Sequence, residues 1–155
     1  MTGEIVSVNV SAGKGERKKP VDSVELRIGH GIEGDGHAGP DPVRQVSMLA
    51  LESIDKMRAK GLDVNPGDFA ENITTKGLNL YSLPVGTRLR SGAVELEVTQ
   101  IGKECHDRCA IYYQAGDCVM PREGIFVKTI VPGFLRAGDA ISIVEKQPPN
   151  AARGI

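Results

Sequence analysis

The sequence predicts a mainly β protein: a distorted, closed or nearly closed β-barrel with one clear helix at about 48–60 and short helical turns. Three observations carry this expectation. Apolar and polar residues alternate in several short stretches, which is the period of a half-buried strand. Turn residues separate those stretches at short intervals, helped by 19 glycines and 9 prolines in 155 residues. Only one stretch has helical spacing. Many short strands with few helices favour closure, because a closed sheet leaves no exposed edge.

Taken in order, the strand signals are Val6, Val8 and Val10; then Val24, Leu26 and Ile28; then Val94, Leu96 and Val98; then Ile141 and Ile143. The helical stretch runs from Met48 to Lys60, with Ala50, Leu51, Ile54 and Met57 as its apolar stripe, Ser47 as the cap and Gly61 as the stop. Arg90-Ser91-Gly92 reads as a hairpin turn, and Pro132-Gly133 suits the centre of a type II turn. Leu83 to Leu89 and Leu135 to Ile141 echo each other, each a turn feeding a strand. Residues 1–146 form one expected domain, and Gln147 to Ile155, opened by Pro148-Pro149, reads as a flexible tail.

A chain of this length builds one core, and 40% hydrophobic with 25% charged residues is a globular composition. The formal charge of −1 gives no field to attract nucleic acid or an anionic membrane. The basic run Lys14 to Lys19 reads as a solvated loop. Met1 to Val10 lacks signal-peptide architecture, and Val46 to Leu51 is too short to span a bilayer, so the expected location is cytoplasmic. All three cysteines fall between 105 and 118, which points to chemistry and away from a secreted disulfide scaffold.

Gly29-His30-Gly31-Ile32-Glu33-Gly34 matches a dinucleotide fingerprint in spacing. The fingerprint needs a helix at its third glycine, and Asp35-Gly36-His37-Ala38-Gly39-Pro40-Asp41-Pro42 cannot supply one. What remains is a glycine-rich loop with two readings: a surface turn, favoured for the glycines, or flexible backbone that delivers Asp35 and His37 to the mouth of a pocket. In Pro66-Gly67-Asp68-Phe69-Ala70-Glu71-Asn72-Ile73, neighbours Glu71 and Asn72 would face opposite sides of a regular strand, so one lines a pocket and the other ties the turn, unless a bulge re-aims it. Around Cys105, three readings stand side by side: inert buried thiols, favoured for Cys109; a zinc site using Cys105, Cys109 and Cys118 with His106 or a distant ligand; and a reactive thiolate at Cys105. Lys103, His106 and Arg108 favour the thiolate, while Glu104 and Asp107 oppose it.

Several segments together resemble the MOSC family, the domain at the C-terminus of molybdenum cofactor sulfurases and in small stand-alone proteins associated with molybdopterin biosynthesis. They are Gly34-Asp35-Gly36-His37-Ala38-Gly39, Arg44, Pro66 to Thr74, Cys105 and Gly138-Asp139-Ala140-Ile141, spread over Gly3 to Lys146. The resemblance implies a barrel like that of pyruvate kinase, in which Cys105 carries sulfur or binds the molybdenum. It makes Asp35, His37, Arg44 and Asn72 the pocket candidates for molybdopterin, and Cys118 a second functional thiol. Two positions depart from the family pattern: Ala70 stands where glycine is usual, and Glu104 where proline commonly precedes the cysteine. A pyridoxal-phosphate desulfurase domain has no room here, so sulfur is expected from a partner cysteine desulfurase or a molybdenum cofactor biosynthesis protein. The alternatives are a non-catalytic molybdopterin-binding or docking module and a zinc-stabilised structural domain.

Overall fold

The computed structural model describes residues 2–13, 17–102 and 120–144. The strands are β1 (Thr2–Val10), β2 (Lys19–Val21), β3 (Val24–Arg27), β4 (Gly31–Ile32), β5 (Val46–Ala50), β6 (Ile73–Lys76), β7 (Arg88–Ser91), β8 (Val94–Ile101), β9 (Ile125–Val131), β10 (Gly133–Leu135) and β11 (Ala140–Ile143). Helix α1 spans Leu51–Arg58, a 3-10 turn spans Leu80–Ser82, and the single turn α2 spans Met120–Glu123.

Seven strands close into a barrel in the order β11, β7, β8, β9, β5, β6, β1, with β1 pairing back onto β11 through Gly3 and Ile141. All of these pairings are antiparallel except β5 with β6, whose parallel register is reached by a crossover through α1. A second sheet, β10-β3-β4, lies outside this ring and contributes Val24, Leu26, Ile32 and Leu135 to the same apolar core. The barrel interior is filled by residues such as Ile5, Val8, Met48, Ile73, Leu96 and Val127, all essentially inaccessible to water.

Sequence alternation locates β8 well: Val94, Leu96 and Val98 point inward while their neighbours are half-exposed. Gly92, at φ +59°, sits at the first of two loop positions between β7 and β8, where a II′ hairpin requires glycine. The echo noted in the sequence is a real structural repeat. Thr87 N donates to Pro84 O and Asp139 N to Arg136 O, with Gly86 and Gly138 both at φ +96°. Each glycine amide then bonds the neighbouring strand, Gly86 to Val98 O and Gly138 to Ile5 O.

Four local expectations need correction. The helix begins at Leu51, not Met48, and Ser47 does not cap it; Ala50 holds the N-cap position without a side-chain bond. All five residues of β5 are buried, because the strand has the barrel on one face and α1 with its following loop on the other, so the run mimics a helical stripe. In β1 a register shift between Ile5 and Ser7 resets the alternation: Ile5 and Val8 point into the core, while Val6 and Val10 are only half-buried. Ile28 lies past the end of β3 and is 63% exposed. Pro132-Gly133 makes no tight turn; Pro132 interrupts the ladder and the chain continues extended from β9 into β10, handing it to the second sheet. The expected tail, 147–155, lies outside the described residues.

Candidate functional site

The site is built on the outer face of the barrel, where β1, β6, β5 and β9 are covered by chain. On β9, Phe126 points away from the core cluster yet is 1% exposed. The His37 ring lies 6.5 Å from its centroid at 56°, and the Arg44 guanidinium carbon lies 5.8 Å from it. Both side chains belong to half-buried residues. Arg44 is set in place by Asp41, whose Oδ1 accepts from the amides of Val43 (2.8 Å) and Arg44 (3.3 Å), and by Thr99 of β8, whose hydroxyl donates to Val43 O.

No helix follows the third glycine of the 29–34 motif; residues 33–45 are turns and bends. Gly31, at φ +110°, has room for no side chain, since a Cβ there would sit 2.8 Å from Gln45 O. Asp35 turns inward. Its side chain has no exposed surface, and its Oδ1 accepts from Lys18 Nζ at 2.8 Å and from the Ser11 amide at 3.1 Å, while Oδ2 accepts from the His37 amide at 3.0 Å. Burial alone would raise this carboxyl, but the Lys18 ammonium, the Ser11 amide and the Asn72 side chain together hold it below the ordinary carboxylate value.

Asn72, also fully buried, stitches three strands. Its Oδ1 accepts from the Ser47 amide of β5 at 3.0 Å, its Nδ2 donates to Asn9 O of β1 at 3.2 Å, and its own carbonyl accepts from the Asn9 amide at 2.7 Å. Glu71 does not line a pocket either. Its Oε1 accepts from the Phe69 amide at 3.2 Å and its Oε2 from Thr74 Oγ1 at 2.7 Å, and Asn9 Nδ2 donates to its carbonyl. No cation faces this carboxyl among these contacts, and burial raises it above the ordinary value despite the backbone and hydroxyl donors.

The predicted candidates therefore gather in one region but at two depths. Asp35 and Asn72 form a buried layer, while His37 and Arg44 are half-buried. Lys18 and Phe126 were missed from the sequence. Lys18 is not part of a solvated loop; it is 2% exposed and is the cation that neutralises Asp35. Nothing in a basic run distinguishes its buried member, and an aromatic in a strand reads as core.

Cys105, Cys109 and Cys118 lie outside the described residues, as do the zinc and molybdenum ligations expected of them. The ends of the 103–119 segment are described. Ile101 pairs with Ile125, and Gly102 N donates to Gly124 O at 2.6 Å, so the chain departs and returns side by side, one residue from Phe126. Glu123 clasps the returning end to α1 through Ser53 Oγ at 2.6 Å and Lys56 Nζ at 2.8 Å. Among the described residues, no group of three or more His, Cys, Asp or Glu side chains is arranged to hold a metal, and no helix is long and apolar enough to cross a membrane.

Residues 33–142 match the family model for the MOSC domain. The chain belongs to the MOSC domain family. This family is generally linked to sulfur handling around molybdenum cofactor. Among solved structures, the YuaD protein of Bacillus subtilis is similar at TM-score 0.74 and 21% identity over 95% of this chain and 98% of that one. YiiM of Escherichia coli is similar at TM-score 0.67 and 23% identity over 95% and 71%, and YiiM of Geobacillus stearothermophilus at 0.67 and 20% over 92% and 75%. At such identities the likeness is one of fold. No curated protein matches the chain by sequence.

The MOSC chain's departure at Ala70 has a visible cost. Ala70 is the only non-glycine at positive φ (+62°) among the described residues, immediately before Glu71 and Asn72. Ala70→Gly removes that strain and is expected to stabilise the protein by about 0.5–1 kcal/mol, offset in part by the glycine's freedom when unfolded. Urea denaturation checks this, and an unchanged or lower midpoint contradicts it.

Glu71 gives a signed pH dependence. Because its folded-state value is raised, the folded state holds the proton longer than the unfolded chain does, and stability falls as pH rises from the ordinary carboxylate range through that higher value. Glu71→Gln mimics the protonated acid. Its stability relative to wild type should improve between pH 4 and neutrality, to about the linkage term that wild type loses there; a gap independent of pH would refute the assignment.

Proposed function

We propose that this MOSC chain is a sulfur carrier: Cys105 takes persulfide sulfur from a partner cysteine desulfurase and delivers it to a molybdopterin-bound molybdenum centre, its substrate. The observation supporting this is a guanidinium and an imidazole gathered on Phe126, next to where the cysteine segment leaves and rejoins the barrel. Cys105 follows Gly102 by three residues, a stretch of chain that spans at most about 11 Å.

The described residues fit an anionic ligand. Arg44 offers a forked donor suited to phosphate or an oxyanion, and molybdopterin ends in a phosphate. Asp35, in the same loop, is paired with Lys18 and sealed from solvent, so its charge is already met.

The chemistry balances with two thiols. The Cys105 thiolate attacks the outer sulfur of the donor's persulfide and releases the donor's thiolate. Cys118 then attacks Cys105 Sγ, forming the Cys105–Cys118 disulfide and expelling the outer sulfur as hydrosulfide; a thiol reductant resets the pair.

Incubation with a cysteine desulfurase and cysteine, followed by alkylation and peptide mass spectrometry, tests the assignment. One added sulfur on Cys105, lost in Cys105→Ser, is the expected result. Sulfur on no cysteine, or undiminished labelling in Cys105→Ser, overturns it.

A further inference from the structure

Three segments meet at one residue, Lys18. The backbone of Lys18 is tied to the 66–72 turn, its amide donating to Gly67 O at 2.7 Å, and Gly67 packs so closely that a Cβ would collide with Lys18 O. Its Nζ reaches Asp35 Oδ1 at 2.8 Å in the 34–39 loop and Ser11 Oγ at 3.0 Å at the end of β1. The 34–39 loop is pressed against the same segment: Gly36 N donates to Ser11 O at 2.8 Å, and a Cβ on Gly36 would lie 2.5 Å from Gly13 backbone. Asp35 then passes this anchorage on, because its second oxygen holds the His37 amide.

We propose that Lys18 is a positioning residue, whose buried ammonium fixes the 34–39 loop and thereby the placement of His37 on Phe126. It touches no ligand; it acts through Asp35. Ser11 and His37 give Asp35 amide donors on both oxygens. Lys18 supplies the one charged contact that holds it, from a residue with no exposed side-chain surface. That the loop serves anion binding rests on the function proposed above; that Lys18 fixes the loop does not.

The test uses the full chain in four forms: wild type, Lys18→Met, Lys18→Met/Asp35→Asn and Arg44→Ala. Lys18→Met strands a buried carboxylate and can fail to fold, whereas the double variant removes both charges and leaves no buried ion unpaired. Two readouts are taken on the double variant at matched thermal stability: hydrogen exchange at individual amides, and the affinity for inorganic molybdate. Exchange at the Gly36 and His37 amides is expected to accelerate about tenfold or more while Leu96 and Val127 in the barrel stay as in wild type. Molybdate affinity is expected to fall about 10- to 100-fold, the usual effect of removing a group that orients a binding residue. Unaltered exchange at Gly36 and His37 would overturn the positioning role, as would full recovery of molybdate affinity together with stability. If wild type and Arg44→Ala bind molybdate alike, the anion-binding reading fails, and the exchange pattern still decides the role of Lys18.

Discussion

Asn72 carries the interaction on which the rest of this site depends. It sits at the entrance to β6, between the parallel neighbour β5 and the antiparallel neighbour β1, and its single amide bonds both of them. The face it occupies is covered by chain, so water cannot satisfy any polar group there. Each donor and acceptor has to be met by another part of the protein. This requirement draws Ser47, Asn9, Ser7, Thr74 and Glu71 into one network with Asn72. Through the Asn72 contact with the Asp35 carboxyl and the Lys18 pair, the network extends under the glycine-rich loop. The two half-buried members of the site, His37 and Arg44, stand on that foundation and on Phe126.

Such a layer costs more than an apolar one of the same volume and is retained only if its partners are in register. Its benefit is specification. A one-residue slip of β6 against β1 would strand Asn72, Thr74 and Asn9 together, so the polar seam reinforces the register that the apolar residues on the barrel's inner face already specify. The same logic explains why the 66–72 turn accepts strain at Ala70: the backbone must reverse there to present Glu71 and Asn72 inward on consecutive positions, which a regular strand forbids.

The fold was legible wherever a strand has one wet face. β8 alternates cleanly because its outer residues meet solvent, and the β7–β8 hairpin follows from a glycine whose φ no other residue adopts readily. Legibility fails where both faces are covered. β5 shows no alternation and was merged with α1, and β1 changes register at its bulge while its outer face buries Ser7 and Asn9. For the site, Asp35, His37, Arg44 and Asn72 were marked by resemblance to a family pattern, but their depths were not, since depth is a property of what packs over them. Lys18 was invisible for a related reason: a lysine inside a basic run looks solvated until a carboxylate from a distant loop is found against it.

The proposed sulfur chemistry requires a thiolate that shares the electrostatic environment of Arg44. The most direct measurement is the pH dependence of alkylation at Cys105, followed by peptide mass spectrometry in wild type and Arg44→Ala. A midpoint below the ordinary thiol value of about 8.5, moving upward in the variant, is what the account requires. A midpoint at or above about 8.5 in both proteins would contradict it.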